Sequence, residues 1–184
     1  IMKNISEKAF TLVELLIVIG IIGILAVTLM VSLNPAEAQR KSRDAKRIRD
    51  AQTLQTIIEQ YIADPTNNIP AGWAVAAGVN STQIGGNTTV HSCSNNWFNV
   101  NLCNYANTIP TDPTNGRNRE VVTGAGTQAS GATRYEFRVD GAGSTDYEIR
   151  VRQESQSNEQ KVTQDGGDDP AWFEIFTDDN GNIL

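Results

Sequence analysis

Hydrophobic and polar positions along the chain fall into three regimes. From Phe10 to Leu33 the residues are almost uninterruptedly apolar (FTLVELLIVIGIIGILAVTLMVSL), with Glu14 the single ionisable group. From Ala36 to Ala63, apolar or small residues recur at Ala38, Ala45, Ile48, Ala51, Leu54, Ile58 and Tyr61 or Ile62. After the first gap these are three and four apart, the spacing of one face of a helix. Asn34-Pro35 opens this segment, since proline is tolerated in a first helical turn, and Asp64-Pro65 closes it. Residues 65–131 are rich in Asn, Gly, Thr and Ser with turn signals such as Asn115-Gly116, and they predict irregular loops.

Strict alternation then takes over. Tyr135, Phe137 and Val139 alternate with Arg134, Glu136 and Arg138, and Tyr147, Ile149 and Val151 with Glu148, Arg150 and Arg152. With a turn at Asp140–Ser144, this predicts a hairpin with one apolar and one charged face, where Glu and Arg pair across the strands. Trp172–Phe176 predicts a third strand and Arg119–Thr123 a fourth. The expected fold is α+β: a long N-terminal α-helix, membrane-spanning in its first half, with a small antiparallel β-sheet head packed on its second half. The expected divisions are 10–33 for the membrane helix, 34–64 for its amphipathic continuation, 65–131 for a loop-rich region and 132–184 for the sheet.

As a helix, 10–33 extends roughly 36 Å, enough to cross a bilayer core of about 30 Å. It is too long for the apolar region of an ordinary secretory signal. Charge separates the chain in the same way. Residues 1–63 hold eight Lys/Arg and six Asp/Glu (+2), and residues 64–184 hold seven and fifteen (−8), which gives the total of −6. An acidic head disfavours a globular nucleic-acid-binding surface. Cys93 and Cys103 are the only cysteines and lie in a polar stretch. A disulfide closing a short loop is the reading that suits an exported chain; two free thiols or half of a metal site are the rivals.

A carboxylate inside an apolar layer costs about 2.5–3.5 kcal/mol, so Glu14 calls for a partner, and no cation lies within the stretch. A cut just before Phe10 would create one, an α-amino group with a pKa of about 8. It would pair with its own Glu14 or with Glu14 of a neighbouring helix, and the second option sets an axial register between chains.

The run EKAFTLVELLIVIGIIGIL resembles the processing and assembly signature of type IV prepilins and of the pseudopilins of type II secretion. The resemblance is strong over about residues 7–33 and weaker out to about residue 63. It implies a leader at 1–9, removed by a prepilin peptidase between Ala9 and Phe10, N-methylation of Phe10, and Glu14 as the docking carboxylate. The partners it implies are the membrane before assembly, a pilus assembly platform and further copies of the chain in a helical filament, with no cofactor. Ala9 stands where the family usually has Gly, and Val31 where many pilins carry a helix-melting proline. Gly20 and Gly23 remain as points of low helix propensity or of close helix packing.

Arg40, Lys41, Arg43, Lys46, Arg47 and Arg49 make a dense basic patch diluted by Asp44 and Asp50. A solvated face with helical ion pairs, contacts between neighbouring subunits, and capture of DNA compete as readings. Six cations after the membrane helix would place that side in the cytoplasm by the positive-inside rule, whereas the resemblance implies a head outside the cell. The acidic segments Asp165–Asp169 and Asp178–Asn182 lack a full ligand spacing for Ca²⁺ and read as solvated turns. Asn80-Ser81-Thr82 and Asn87-Thr88-Thr89 match the N-glycosylation pattern, which is frequently fortuitous. Lone His91 reads as an ordinary polar residue, and no nucleophile–base set or phosphate loop points to an enzyme.

The function expected is therefore structural: a subunit of a type IV pilus-like filament serving motility, adhesion or DNA uptake. A minor pilin or adhesin, or a secretion pseudopilin, is the alternative. Glu14→Ala is expected to insert into membranes normally yet assemble poorly, measured as filament yield against membrane-bound chain; an unchanged yield would refute the pairing.

Overall fold

The computed structural model describes residues 10–32, 34–74, 78–83, 90–124, 126–141 and 143–177. The expected leader 1–9, Leu33, the Asn87-Thr88-Thr89 pattern and Asp178–Asn182 lie outside them. The chain divides into two compact units at Gln39/Arg40.

In the first unit, α1 runs from Leu12 to Ser32. It is long and apolar enough to cross a membrane, and none of its described residues is buried within the chain. The helix is unbroken through Gly20, Gly23 and Val31, and a methyl group added at either glycine would meet nothing within 4 Å. Neither glycine thus meets a packing neighbour among the described residues.

Helix α2 spans Pro35–Ala63. Asn34, with φ of 38°, opens it by accepting the Glu37 amide on Oδ1 at 3.3 Å, with Pro35 in the first turn. In the second unit the buried face of α2 is Asp44, Arg47, Ala51, Leu54, Ile57, Ile58 and Tyr61. The expected face fits from Ala51 onward but not before it, where Ala38 and Ala45 are exposed and one charged turn points inward instead.

A four-stranded antiparallel sheet lies against that face. Its strands are β1 (Val79–Asn80), β6 (Tyr135–Val139), β7 (Tyr147–Val151) and β8 (Phe173–Phe176), in the order β1-β6-β7-β8. Within β6 and β7, Phe137 opposes Ile149 and Tyr135 opposes Val151, so the apolar residues of both strands share one face. That face meets Leu54, Ile57, Ile58 and Tyr61 of α2 in a single core completed by Trp73, Trp97, Phe98 and Leu102. Trp73 is central: its ring lies 4.9 Å from Phe137 and 5.8 Å from Phe98, and its indole N–H donates to the Phe98 carbonyl at 2.8 Å. Two phenols tie sheet to helix, Tyr135 donating to Asp50 at 2.8 Å and Tyr147 to Glu59 at 3.0 Å.

The expectation of irregular loops over 65–131 needs correction. That region holds β1, the hairpin of β2 (Val90–Ser92) with β3 (Thr108–Pro110), and β4 (Asn118–Val122) with β5 (Gln128–Ala132), which begins within it. The expected fourth strand at Arg119–Thr123 exists as β4 but does not join the main sheet. It folds back on β5 through a turn in which Gly124 (φ 78°) and Gly126 (φ 73°) take the left-handed conformation. The fourth place is taken by β1, too short to carry a pattern. Gly78, at φ 56°, leads into it so close to β6 that an added methyl would overlap the Phe137 carbonyl. His91 is correspondingly in a strand, opposite Ile109, and buried rather than in a loop.

The Cys93–Cys103 disulfide is present, with Cα atoms 4.7 Å apart. The loop it closes carries three core side chains, Trp97, Phe98 and Leu102. Replacing both cysteines by serine is expected to cost about 2–3 kcal/mol in urea unfolding of the full chain in detergent. The near-ultraviolet signature of the buried tryptophans should persist, because the apolar anchors stay in place.

Candidate functional site

The first turn of α1 is closed by its own side chains. Thr11 donates to Glu14 Oε2 from its amide (2.9 Å) and from its hydroxyl (2.8 Å), while the Glu14 amide donates back to Thr11 Oγ1 at 3.2 Å. This is a capping box, which satisfies amides that a helix start otherwise leaves without partners. Phe10, just outside it, is 82% exposed. Ala9 lies outside the described residues, so the bond expected to be cut is described on one side alone. Among the described residues Glu14 makes no ion pair, and its local role is to cap. The Thr-x-x-Glu spacing of Thr11 and Glu14 is the sequence signal of this cap.

The six basic residues do not form one patch. Lys41, Lys46 and Arg49 are exposed. Arg40 reaches Glu120 of β4 at 2.9 Å. Arg43 holds Glu154 with two bonds, Nε at 3.0 Å and Nη2 at 2.5 Å. Arg47 departs furthest from expectation, since its side chain is fully buried. It donates from Nε to Asp112 Oδ2 (2.6 Å), from Nη1 to Asp44 Oδ1 (2.8 Å), and from Nη2 to Glu154 Oε1 (2.7 Å) and Thr114 Oγ1 (3.0 Å). Asp44 in turn accepts the amides of Glu154 and Ser155 at 2.9 and 2.8 Å and the Asn158 side chain at 2.9 Å. Arg47 is thus removed from any surface for subunits or DNA, and of the two aspartates read as diluting the patch Asp44 is its partner while Asp50 accepts from Tyr135.

The electrostatics follow from this geometry. Burial alone would lower the Arg47 guanidinium, but the hydrogen bonds and charges of Asp112 and Glu154 outweigh it and raise the pKa further. Burial likewise acts to raise the Glu154 carboxyl, and bonds from Arg43 and Arg47 more than offset it, holding Glu154 below the usual carboxylate range.

Of the acidic segments, Asp165 is engaged by the amides of Gly167 (3.1 Å) and Glu174 (2.8 Å), and Asp168 lies 3.2 Å from Arg150. The segment is a turn, as expected, with Asp165 half-buried and with Asp168, exposed, and Asp169, half-buried, beside the Arg150 guanidinium. The charged face of the hairpin is buried too. Its ion pairs run along strands, as Arg150–Glu148 and Arg134–Glu136, and across from Arg150 to Glu174 at 2.9 Å. Trp172 covers it, with the Arg152 guanidinium 4.1 Å from the ring centre.

Residues 5–30 match the family described as the prokaryotic N-terminal methylation motif, the signature of type IV pilins and pseudopilins. No curated protein and no solved structure matches the chain.

Arg47→Ala is expected to lose about 3–5 kcal/mol of stability in chemical denaturation, because three carboxylates would keep their burial without their shared cation. Glu154, depressed in the fold, contributes stability that is full above the ordinary carboxylate range and is lost as pH falls through its lowered value. Acid titration of the folded chain followed by circular dichroism should therefore show a loss of stability below that range.

Proposed function

We propose that the chain is a structural subunit of a type IV pilus-like filament, held in the membrane by α1 until assembly. The observation that carries this reading is the coincidence of two features in one segment. The methylation motif covers residues 5–30, and the helix that overlaps it, Leu12–Ser32, has no buried residue among those described. Exposed side chains such as Leu12, Ile24 and Met30 need lipid or other helices around them, and a filament core of bundled α1 segments supplies the second.

On this reading a prepilin peptidase removes residues 1–9 and Phe10 becomes the methylated N-terminus. The new amine pairs with Glu14 of an adjacent subunit on the assembly platform. Glu14 need not be unsatisfied before that step. Its Oε2 caps the helix, and a carboxylate has acceptor sites to spare for an incoming cation. Lys41, Lys46 and Arg49 are the basic residues left on the surface of α2 for contacts between subunits. Such cations would also be the ones available to a phosphate backbone, fewer than the sequence implied.

The test is intact mass and N-terminal sequencing of the chain recovered from sheared surface filaments. The expected result is a chain starting at N-methylated Phe10 and dominating the preparation. A chain that keeps residues before Phe10 and is found in membranes alone would overturn the filament reading. A processed chain present at trace level would move it to the minor-pilin alternative.

A further inference from the structure

The face of the sheet turned away from α2 encloses more carboxylates than cations. Glu148 on β7 and Glu174 on β8 are 1% and 3% exposed. Their oxygens and one from Asp168 lie within 4.8 Å of one another. The cation at the centre is Arg150. It donates from Nε to Glu148 Oε1, and its Nη2 lies 2.9 Å from Glu174 Oε1 and 3.2 Å from Asp168 Oδ1. Asp169 Oδ2 is 3.9 Å from Nη1. The other charged groups on this face are committed elsewhere. Glu136 of β6 takes Arg134 and Arg138, while Arg152 of β7 lies on Trp172. Arg138 opposes Glu148 in register but makes its ion pair with Glu136. Asp165, below the turn, accepts the amides of Gly167 and Glu174. Glu148 Oε2 and Glu174 Oε1 are both buried and receive no hydrogen bond among the described residues, the latter lying near Arg150 as an ion pair without hydrogen-bond geometry.

Two buried carboxyls therefore share one guanidinium, itself drawn on by two aspartates. Were both ionised, one charge would face the other across a short, poorly solvated gap. We propose that Glu148 and Glu174 form a proton-gated latch, in which one proton shared by the two carboxyls keeps β8 and the 165–172 turn closed on the sheet and its loss at alkaline pH loosens them. The geometry directs the strain to that segment. Among the described residues β8 is an edge strand bonded to β7, and the Asp169 amide rests on Glu174 Oε2 at 3.3 Å. The backbone at Gly167 presses so closely that an added methyl would overlap the Glu174 carboxylate.

Burial, then the hydrogen bond and charge of Glu148, push Glu174 up to about 8 from the ordinary 4.5. The closed form thus binds a proton that an open form, with an ordinary glutamate, releases. Opening is favoured progressively as pH rises from about 4.5 to about 8 and levels off above.

Hydrogen exchange of the full chain in detergent micelles, corrected for the intrinsic pH dependence of amide exchange, tests the latch. Between about pH 6 and about pH 9, protection across 165–176 is expected to fall at least about tenfold relative to β6. Glu174→Gln should remove the fall. Glu148→Gln, which leaves the turn's own bonds intact, should do the same and stands as the second variant if the first misfolds. Unchanged wild-type protection, or the same fall in both Gln variants, would overturn the latch. So would a fall abolished by millimolar calcium, since a metal ion and not a proton would then hold the pair.

Discussion

The head depends on one buried guanidinium. Arg47 enters the interior from the turn of α2 that precedes the apolar face, and it meets carboxylates from three places in the chain: Asp44 on its own helix, Asp112 after β3, and Glu154 after β7. Because Asp44 also holds the amides of Glu154 and Ser155, the segment leaving the sheet is bound to α2 by backbone and side chain together. A buried ion cluster is weak evidence for high stability, since the cost of desolvating the charges is large. Its value here is positional. The apolar face of α2 could slide or rotate on the sheet with modest loss, whereas an internal guanidinium finds its acceptors in one placement only. Asp50 and Glu59, each accepting from a sheet tyrosine, repeat the same logic further along the helix.

The sheet carries a second internal cation, and the two are balanced differently. Around Arg47, the neighbour Arg43 shares Glu154, so positive charge answers the carboxylates. Around Arg150 the nearby arginines are spent on Glu136 and Trp172, and the surplus of carboxylate is left to a proton. Acid therefore weakens the first cluster, and alkali weakens the second. The head is bounded on both sides of neutrality by groups that pack on opposite faces of one sheet.

Periodicity makes the main elements legible in the sequence. The long apolar helix, the outer half of α2 and the β6–β7 hairpin each repeat a signal over five or more residues, and in the last two burial of a face enforces it. What stayed hidden had physical reasons. β1 is two residues long and exists because Gly78 lets the chain approach Phe137. β5 reads Gln-Ala-Ser-Gly-Ala, with no β-branched or aromatic residue, and it is a strand because a glycine turn delivers it to β4. Arg47 looked like its neighbours, since a charged residue on a helix carries no mark of the acceptors that distant loops will bring to it. The site was legible at its N-terminal end for the opposite reason. The Glu14 signal is local, lying within one helical turn of Thr11.

On the proposed filament reading, that local bond bears on how α1 would pass from lipid to a bundle of helices. An apolar helix gains little by moving from lipid to a bundle of similar helices, because hydrocarbon surrounds it in both. The hydrophobic surface of α1 explains why the segment must be covered, and it leaves open where along its length a neighbour sits. A polar contact is needed to set that register, and Glu14 is the one ionisable side chain the helix has. Since the Thr11 bonds converge on a single carboxylate oxygen, the cap and an incoming amine would not compete for the same atom. A group that is satisfied alone and can accept one more bond on assembly suits the proposed subunit, which would first be stored in the membrane and later extracted from it. A bare carboxylate would oppose the storage, and an apolar residue would contribute nothing to the docking.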